Sequence, residues 1–260
     1  MKQTRHLLIA LALGTMLTSC GASVSTATVT GPAAYVDPYI GSGGHGHVFV
    51  GASVPFGAIQ AGPQNIHKGW DWCSGYHHSD SIVIGFAHTH LSGTGCTDMG
   101  DVQIMPYTGE LRSKRGRQED IGGSCSSYYS HDNESVSPGY YSLKMDNGVQ
   151  IEMTASTRTA LHRITYPEAE GRRLLINLEE GNGDGAYDTY LRQTDAHTVE
   201  GYRFSKGWGP HKVFFALTTD KPIRSLALFD ADTPSEGSEI RCKGAKGVLT
   251  FDDEKQVMVK

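Results

Sequence analysis

Several features are scarce in this sequence, and each scarcity narrows the class of protein. Only 20% of its 260 residues are charged, and the formal net charge is a mildly acidic −5. This balance gives no electrostatic reason to expect nucleic acid as a partner. No long segment repeats apolar residues with the helical period of 3.6, and there is no internal repeat. The chain is therefore not expected to be helical or a repeat array.

Cysteine is also sparse, with five residues in the whole chain. Four of them, Cys73, Cys96, Cys125 and Cys242, follow the N-terminal region. Their spacings match none of the common zinc patterns. An exported protein permits disulfides, but four cysteines allow three complete pairings, and the sequence does not choose among them.

A long hydrophobic run occurs only at the N-terminus. Lys2 and Arg5 precede the run LLIALALGTML, which is too short for an ordinary transmembrane helix. LTSC at residues 17–20 is similar to a bacterial lipobox, although a plain secretory signal is the alternative. We therefore predict a lipoprotein signal peptide over residues 1–19, a lipid on Cys20 that attaches the chain to a membrane, and a flexible tether over residues 20–34. The expected location is the bacterial cell envelope, in the periplasm or on the outer-membrane surface.

Short strand-like runs occupy the remainder, residues 35–260. VQIMPY, VQIEMTA, RLLINL and KVFFALTT are rich in β-formers, and turn signals such as Asp146-Asn147-Gly148 separate such runs. This pattern predicts an all-β fold, an antiparallel β-sandwich. The final segment, KGVLTFDDEKQVMVK, predicts a hairpin whose second strand contains Lys260. A domain that stops on a strand suggests that the chain is truncated, although a C-terminal strand at a sheet edge is the alternative.

Costly residues are concentrated in GWDWCSGYHHSDSIVIGFAHTHLSGTGC, residues 69–96, which holds two tryptophans, four histidines and two cysteines. Residues of these types occur in four kinds of functional site: a metal site, a serine nucleophile, a phosphate-binding loop and a sugar site. The pairs His45/His47 and His88/His90 have strand spacing for a shared metal ion but no carboxylates at a recognisable spacing. Ser74 and Ser92 lie near histidines but outside a G-x-S-x-G motif. The glycine-rich GSGGHGH at 41–47 lacks the Lys-Ser/Thr of a phosphate-binding loop.

A sugar site is the fourth and favoured interpretation. Aromatic rings such as those of Trp70 and Trp72 stack on the C–H faces of a pyranose, while polar side chains bind its hydroxyls. The alternative is that both indoles belong to the sandwich core. Their polar and glycine neighbours are more typical of an exposed loop.

Longer motifs support this interpretation. Residues 35–63 (YVDPYIGSGGHGHVFVGASVPFGAIQAGP), residues 69–96, GDVQIMP at 100–106, residues 137–167 and GYRFSKGWG at 201–209 closely resemble the N-terminal domain of glycoside hydrolase family 92. The resemblance implies a calcium-dependent, inverting exo-α-mannosidase of the α-1,2-mannosidase type, acting on mannose-containing glycans. It also implies a β-sandwich followed by a larger (α/α)6 barrel, which is missing from this chain.

The resemblance also assigns roles to residues. Trp70, Trp72, Cys73 and His90 are expected to contact the sugar, and His45, His47 and His88 are expected to support the loop. His88 and His90 have an equally good alternative as buried histidines inside the sandwich. Asp98 and Asp101 are interpreted as loop caps. The metal ligands stay unknown, because the acid, the base and most calcium contacts are expected in the barrel.

Inverting hydrolysis needs two carboxyl groups, roughly 6.5–9.5 Å apart. No pair here matches the family's catalytic motifs, so we expect the chain alone to be inactive. Two hypotheses follow. As part of an enzyme, the sandwich should expose an apolar surface where the barrel docks, in cis or as a split partner. As a stand-alone, lipid-anchored carbohydrate-binding module, it should have a polar surface there and bind sugar unaided.

Overall fold

The structure is a computed structural model that describes residues 30–260. The predicted signal peptide, Cys20 and most of the tether lie outside the described residues, so these expectations stay predictions. At the end of the predicted tether, Gly31–Tyr35 form a 3₁₀ turn without a buried residue. Two further 3₁₀ turns span Trp70–Trp72 and His131–Asn133. No helix in residues 30–260 has the length and apolar character needed to cross a bilayer.

Strands dominate the described chain. In chain order they are β1 (Ala52–Ser53), β2 (Gln60–Gln64), β3 (Ile82–Val83), β4 (Gly85–Ala87), β5 (Gln103–Tyr107), β6 (Ser127–Tyr128), β7 (Glu134–Ser137), β8 (Tyr140–Lys144), β9 (Gln150–Ala155), β10 (Ala160–Thr165), β11 (Arg173–Asn177), β12 (Gly185–Gln193), β13 (Thr198–Lys206), β14 (Pro210–Thr218), β15 (Ser225–Asp230), β16 (Thr233–Ser235), β17 (Glu239–Cys242), β18 (Ala245–Thr250) and β19 (Gln256–Val259).

These strands form three main antiparallel sheets. The largest has the order β1-β2-β4-β5-β11-β18-β15-β16, the second β19-β10-β9-β8-β7, and the third β14-β13-β12-β17. Strands β3 and β6 pair separately. The second sheet packs on the β1–β2 end of the largest sheet, and the third packs near β15 and β18. The β-sandwich predicted from the short alternating runs is confirmed.

The core follows from strand composition. All five residues of β5 are buried, and β11 and β18 each bury all but one of their residues. A strand buried on both faces reads as a continuous apolar run instead of an alternating one. Ile104, Leu174 and Leu249 are fully buried, and each such side chain stabilises the fold by about 1.5–3 kcal/mol.

The predicted C-terminal hairpin is wrong. Strand β18 already has β11 on one edge and β15 on the other, so it has no free edge for β19. Instead β19 crosses to the second sheet and pairs with β10, with Val257 opposite Ile164. Lys260 then exchanges two backbone hydrogen bonds with Thr218, each 2.8 Å long. The last strand is therefore paired and is not an open edge.

Candidate functional site

A cavity of about 420 Å³ opens where three connecting segments meet. Its lining comes from the loop around the Trp70–Trp72 turn, from residues 95–97 in the connection between β4 and β5, and from the turn between β13 and β14. The lining residues are His67, Trp70, Cys73, Gly95, Cys96, Thr97 and Trp208. Two of the three tryptophans of the chain therefore line one cavity.

The first wall is Trp70, at the start of its 3₁₀ turn. The preceding Gly69 has a φ of 132°, which an L-residue rarely adopts, so glycine is required at this bend. The indole Nε1–H donates to the carbonyl of Gly95 at 2.9 Å, which ties the two loop segments together. The Trp70 side chain is still 58% exposed, so its ring remains available to a ligand.

Two histidines hold this loop through one carboxylate. Asp71 Oδ1 lies 2.5 Å from His45 Nδ1 and 3.6 Å from His47 Nε2. The His47 ring also meets Trp70 edge-on, with ring centroids 4.2 Å apart. The hydrogen bond from His45 is the main reason why the pKa of Asp71 is lowered. His45 and His47 thus lie beside Trp70 and Asp71, and their loop-supporting role stays a prediction.

A second tryptophan in the lining is Trp208, which the sequence patterns did not place in the site. It lies at the turn between β13 and β14 and is 79% exposed. Asp98 Oδ2 accepts hydrogen bonds from the backbone N–H groups of Trp208 (3.0 Å) and Gly209 (3.3 Å). A Cβ on Gly207 would lie 2.4 Å from Asp98 Oδ1, so only glycine allows this approach. The available signal was a tryptophan between two glycines, which is no pattern for a core residue.

Asp98 itself is buried and caps its own loop as well, because its Oδ1 accepts from the N–H of Met99 at 2.9 Å. It therefore fits its interpretation as a loop cap. Asp101 does not, since it lies in an ion pair.

That ion pair belongs to a buried cluster beside Asp98, formed by Asp101, Asp184, Arg203 and His211 and named here the Arg203 cluster. Arg203 Nη1 lies 2.6 Å from Asp101 Oδ1 and 2.7 Å from Asp184 Oδ2, and all three side chains are at most 1% exposed. His211 Nε2 approaches Asp101 at 3.1 Å. Desolvation, the largest single effect, lowers the pKa of Arg203, but the two carboxylates outweigh it and the pKa is raised.

Asn182 connects the cluster's surroundings to the cavity. Its backbone N–H donates to the carbonyl of Met99, and its side-chain amide donates to the carbonyl of Cys73, each at 2.7 Å. A Cβ on the adjacent Gly183 would lie 2.3 Å from Thr97 Oγ1. These contacts fix the cavity floor, and nothing in the spacing of Asn182 from residue 73 revealed them.

Two residues expected to contact sugar lie away from the cavity lining. The Trp72 indole donates to Asp80 Oδ2 at 2.8 Å and stacks on His77 with centroids 4.3 Å apart. His90 is buried, with Nδ1 2.8 Å from the carbonyl of Gln60. Its desolvation lowers its pKa to about 4. Both side chains hold neighbouring segments of protein in this structure.

His88 also lies within the fold. Its Nδ1 is 2.6 Å from the carbonyl of Val102, and its Nε2 is 2.9 Å from Nε2 of His162 on β10. Desolvation lowers the pKa of both histidines. His88 therefore links the largest sheet to the second sheet. Within residues 30–260, its side-chain hydrogen bonds do not reach the loop around the Trp70–Trp72 turn.

The cysteines are free thiols at all four described positions. Cys73 and Cys96 share the cavity lining. The thiol of Cys73 donates to the carbonyl of Thr94 at 2.9 Å, and burial is the main cause of its raised pKa. Cys73, unlike Trp72 and His90, belongs to the cavity lining, but its side chain is only 1% exposed, so its contact with a ligand stays a prediction.

The serine hypothesis finds no supporting geometry. Ser74 is buried, and its hydroxyl donates to the carbonyl of Tyr76 at 3.0 Å instead of to a histidine. None of the seven lining residues, all from the described residues 30–260, carries a carboxyl group. Three carboxylates outside the lining have basic partners: Glu179 pairs with Lys246, Glu180 with Arg115 and Asp188 with Arg241.

Clusters of histidine, cysteine and carboxylate side chains within residues 30–260 offer calcium no complete donor set. Calcium takes roughly six to eight oxygen ligands. The oxygen-richest cluster, Asp98, Asp184 and His211, offers few oxygens, and Arg203 already neutralises Asp184. The four histidines first weighed as metal ligands form no such cluster among themselves in the described part of the chain.

Comparison with known proteins agrees with this fold. The glycosyl hydrolase family 92 N-terminal domain matches residues 35–260. A family GH92 α-mannosidase from Bacteroides thetaiotaomicron, solved with mannoimidazole, superposes with a TM-score of 0.83 and 34% identity, over 87% of this chain and 31% of that one. An inverting GH92 mannosidase from the same bacterium gives a TM-score of 0.71 at 24% identity, over 87% of this chain and 30% of that one, which supports the fold alone.

A secreted glycosidase of Arthroderma benhamiae, whose activity is uncharacterised, is 32% identical over 158 residues, which are 57% of this chain and 18% of that protein. The class of protein is thus a glycosidase β-sandwich. The chain belongs to glycoside hydrolase family 92, as its motifs predicted. It spans about a third of the length of the solved relatives.

Proposed function

We propose that this chain is the sugar-facing β-sandwich of an exo-α-mannosidase that acts on mannose-containing glycans. The observation that carries the proposal is the cavity between Trp70 and Trp208. Both indoles are exposed and offer flat apolar faces, and the same lining includes the polar side chains of Thr97 and His67. Aromatic faces with a few polar groups are the chemistry that binds a pyranose. The related α-mannosidase solved with mannoimidazole supports mannose as the sugar.

The cavity supplies binding and no acid–base chemistry. Inverting hydrolysis requires a carboxylic acid and a carboxylate on opposite sides of the sugar, and neither lines the cavity. We therefore assign both groups to a further part of the enzyme, with the barrel in cis or as a split partner as its expected source. Calcium belongs to the same part, because the described residues do not form a calcium site.

The surface next to the cavity supports such a partner. The outer face of β12–β14 carries a cluster of touching rings from Tyr187, Tyr190, Tyr202, Phe204 and Phe214. Phe214 on β14 is 70% exposed. The turn that joins β13 to β14 carries Trp208. A contiguous exposed aromatic surface is typical of an interface, and here it continues to one wall of the cavity. This is the apolar surface that the enzyme hypothesis predicts.

The location is proposed on similar grounds. The fungal relative is described as secreted, which supports an extracellular or envelope site of action for this chain. Attachment through a lipid on Cys20 remains part of the proposal.

Isothermal titration calorimetry with methyl α-mannoside tests the binding role. We expect the full chain to bind, and Trp208→Ala to weaken binding about tenfold, which corresponds to roughly 1.4 kcal/mol. Trp208 is exposed, so its removal should leave the fold intact. Trp72→Phe is the matched control, since the Trp72 indole lies off the cavity, and it also tests the prediction that Trp72 contacts sugar.

Hydrolysis of α-mannobiose with calcium, measured on the same samples, tests the division of labour. We expect no turnover by the chain alone. Turnover would contradict the assignment of the acid and base to another part. Equal affinity of wild type and Trp208→Ala for methyl α-mannoside would contradict the proposal that the cavity binds the sugar. Tight binding without turnover, even with the remaining part of the enzyme added, would favour a stand-alone carbohydrate-binding module.

A further inference from the structure

A second cluster of polar side chains lies apart from the cavity lining, at the start of β7. His78, His131 and Glu134 each offer one ligand atom, and these atoms all lie within 4.8 Å of one another. His78 follows the loop around the Trp70–Trp72 turn, named here the tryptophan loop. His131 lies in the 3₁₀ turn that leads into β7. The cluster therefore joins two segments that are distant in sequence.

Glu134 places a carboxylate in the interior. Its side chain is fully buried and accepts hydrogen bonds from the hydroxyls of Tyr141 (2.7 Å) and Tyr76 (3.0 Å). Within residues 30–260, the only basic side chain at salt-bridge distance is His131. A buried carboxylate is costly unless a cation compensates it, so this position favours a positive charge nearby.

His131 is oriented as metal-bound histidines are. Its Nδ1 lies 2.7 Å from Glu134 Oε2, and because a carboxylate only accepts hydrogen bonds, Nδ1 carries the proton. In the neutral ring the lone pair then belongs to Nε2, which is buried and has no hydrogen-bond partner. A carboxylate that fixes the tautomer in this way is the usual second partner of a histidine that binds a metal.

His78 supplies access from solvent. The side chain is exposed, and its ring lies 4.2 Å from the ring of His131. Its polar side-chain contact is a long one, 3.4 Å from Nδ1 to the hydroxyl of Tyr76. The ring can therefore turn toward an ion beside His131 without breaking a strong hydrogen bond.

We propose that Nε2 of His131 and a ring nitrogen of His78 bind a divalent transition-metal ion of the Zn²⁺ type, while the Glu134 carboxylate accepts the Nδ1–H of His131 and orients its ring. Imidazole nitrogens suit zinc, whereas calcium requires an all-oxygen set. The bound ion compensates the charge of Glu134 and ties the end of the tryptophan loop to β7. The site is separate from the proposed sugar cavity and does not depend on it.

Calorimetric titration of the full chain with ZnCl₂ at neutral pH tests this site. We expect His78→Ala and Glu134→Gln each to weaken zinc binding by about 10–100-fold. His197→Ala, which removes a half-buried histidine outside both the cluster and the sugar cavity, is the matched control and should bind as wild type does. X-ray absorption of the zinc-loaded chain should show two imidazole nitrogens.

His78→Ala carries the test, because the exposed position makes misfolding improbable and circular dichroism checks it. Unchanged zinc affinity in His78→Ala would overturn the proposal. Absence of zinc binding by the wild-type chain would overturn it as well.

Discussion

The apolar core and the Asp101–Arg203–Asp184 ion pairs of the Arg203 cluster are both fully buried, yet they determine different features of the fold. The core strands β5, β11 and β18 are held by side chains such as Ile104 and Leu249, whose attraction is non-directional. The Arg203 cluster is held by charged hydrogen bonds with fixed geometry, such as the one of 2.6 Å from Arg203 to Asp101. The first specifies which sheets pack together. The second lies beside Asp98, which positions Trp208, and so bears on the shape of the cavity.

The difference shows that the cavity depends on polar groups that gain little from being buried. A buried ion pair is costly to desolvate and becomes strongly destabilising when one partner is lost. The glycines around this cluster are equally constrained: a Cβ on Gly181 would lie 1.8 Å from Asp184 Oδ1. The shape of the cavity thus depends on a region in which few substitutions are tolerated, whereas the core tolerates exchange of similar apolar side chains.

The largest effect is expected from Arg203→Met. The methionine fills similar space but leaves Asp101 and Asp184 buried without their cation, so the free energy of unfolding should fall by about 3–5 kcal/mol. Urea denaturation of the full chain measures it. The control is Arg192→Met, which removes an exposed ion pair with Glu200 and should lower the free energy of unfolding far less, because solvent screens that pair. Similar losses for both variants would show that the cluster contributes no more than a surface pair.

Ile104→Ala should cost somewhat less, about 3 kcal/mol, because it removes a fully buried side chain from β5 and leaves a cavity in the core. The two variants should differ in the structure of the cavity in the folded state. Fluorescence of Trp70 and Trp208 should be unchanged in Ile104→Ala, because the core does not position them, and altered in Arg203→Met. An altered spectrum in Ile104→Ala would contradict the division between core and cluster.

Sequence patterns were sufficient for most of the sheets. VQIMPY, VQIEMTA and RLLINL became β5, β9 and β11 with small shifts of boundary. Strand β12 was not predicted, because it begins in a glycine-rich loop, and a bulge between Ala186 and Asp188 interrupts its alternation. The C-terminal hairpin failed because strand pairing depends on which edges are free, and adjacency in sequence does not give that.

For the candidate site, the sequence indicated the segment but not the orientation of its side chains. Trp70 and Cys73 line the cavity, whereas Trp72, two residues from Trp70, points elsewhere, because both tryptophans lie in a 3₁₀ turn, in which residues two apart face different directions. Trp208 and Asn182 were missed, since their contacts cross more than one hundred residues. Such contacts are a property of the packed fold, and a local motif does not contain them.

The smallest effect, and the most specific to buried histidines, concerns pH. Burial lowers the pKa of His90 to about 4, and it lowers the pKa of His88 and His162 in the same direction. The unfolded chain, with histidines near their ordinary pKa of about 6.5, then binds more protons between pH 6.5 and pH 4. Stability is therefore full above pH 6.5 and falls as the pH drops through this window.

Each histidine contributes at most about 1.4 kcal/mol per pH unit to that slope. His90→Gln keeps a donor for the carbonyl of Gln60 but does not titrate, so its free energy of unfolding should fall less steeply with pH than that of wild type. Urea denaturation at a series of pH values measures the slope, with the exposed His67→Gln as control. If His90→Gln and wild type lose stability in parallel, His90 takes up its proton at the same pH in the folded and the unfolded chain, and the packing of its ring against Phe49 does not exclude the charge.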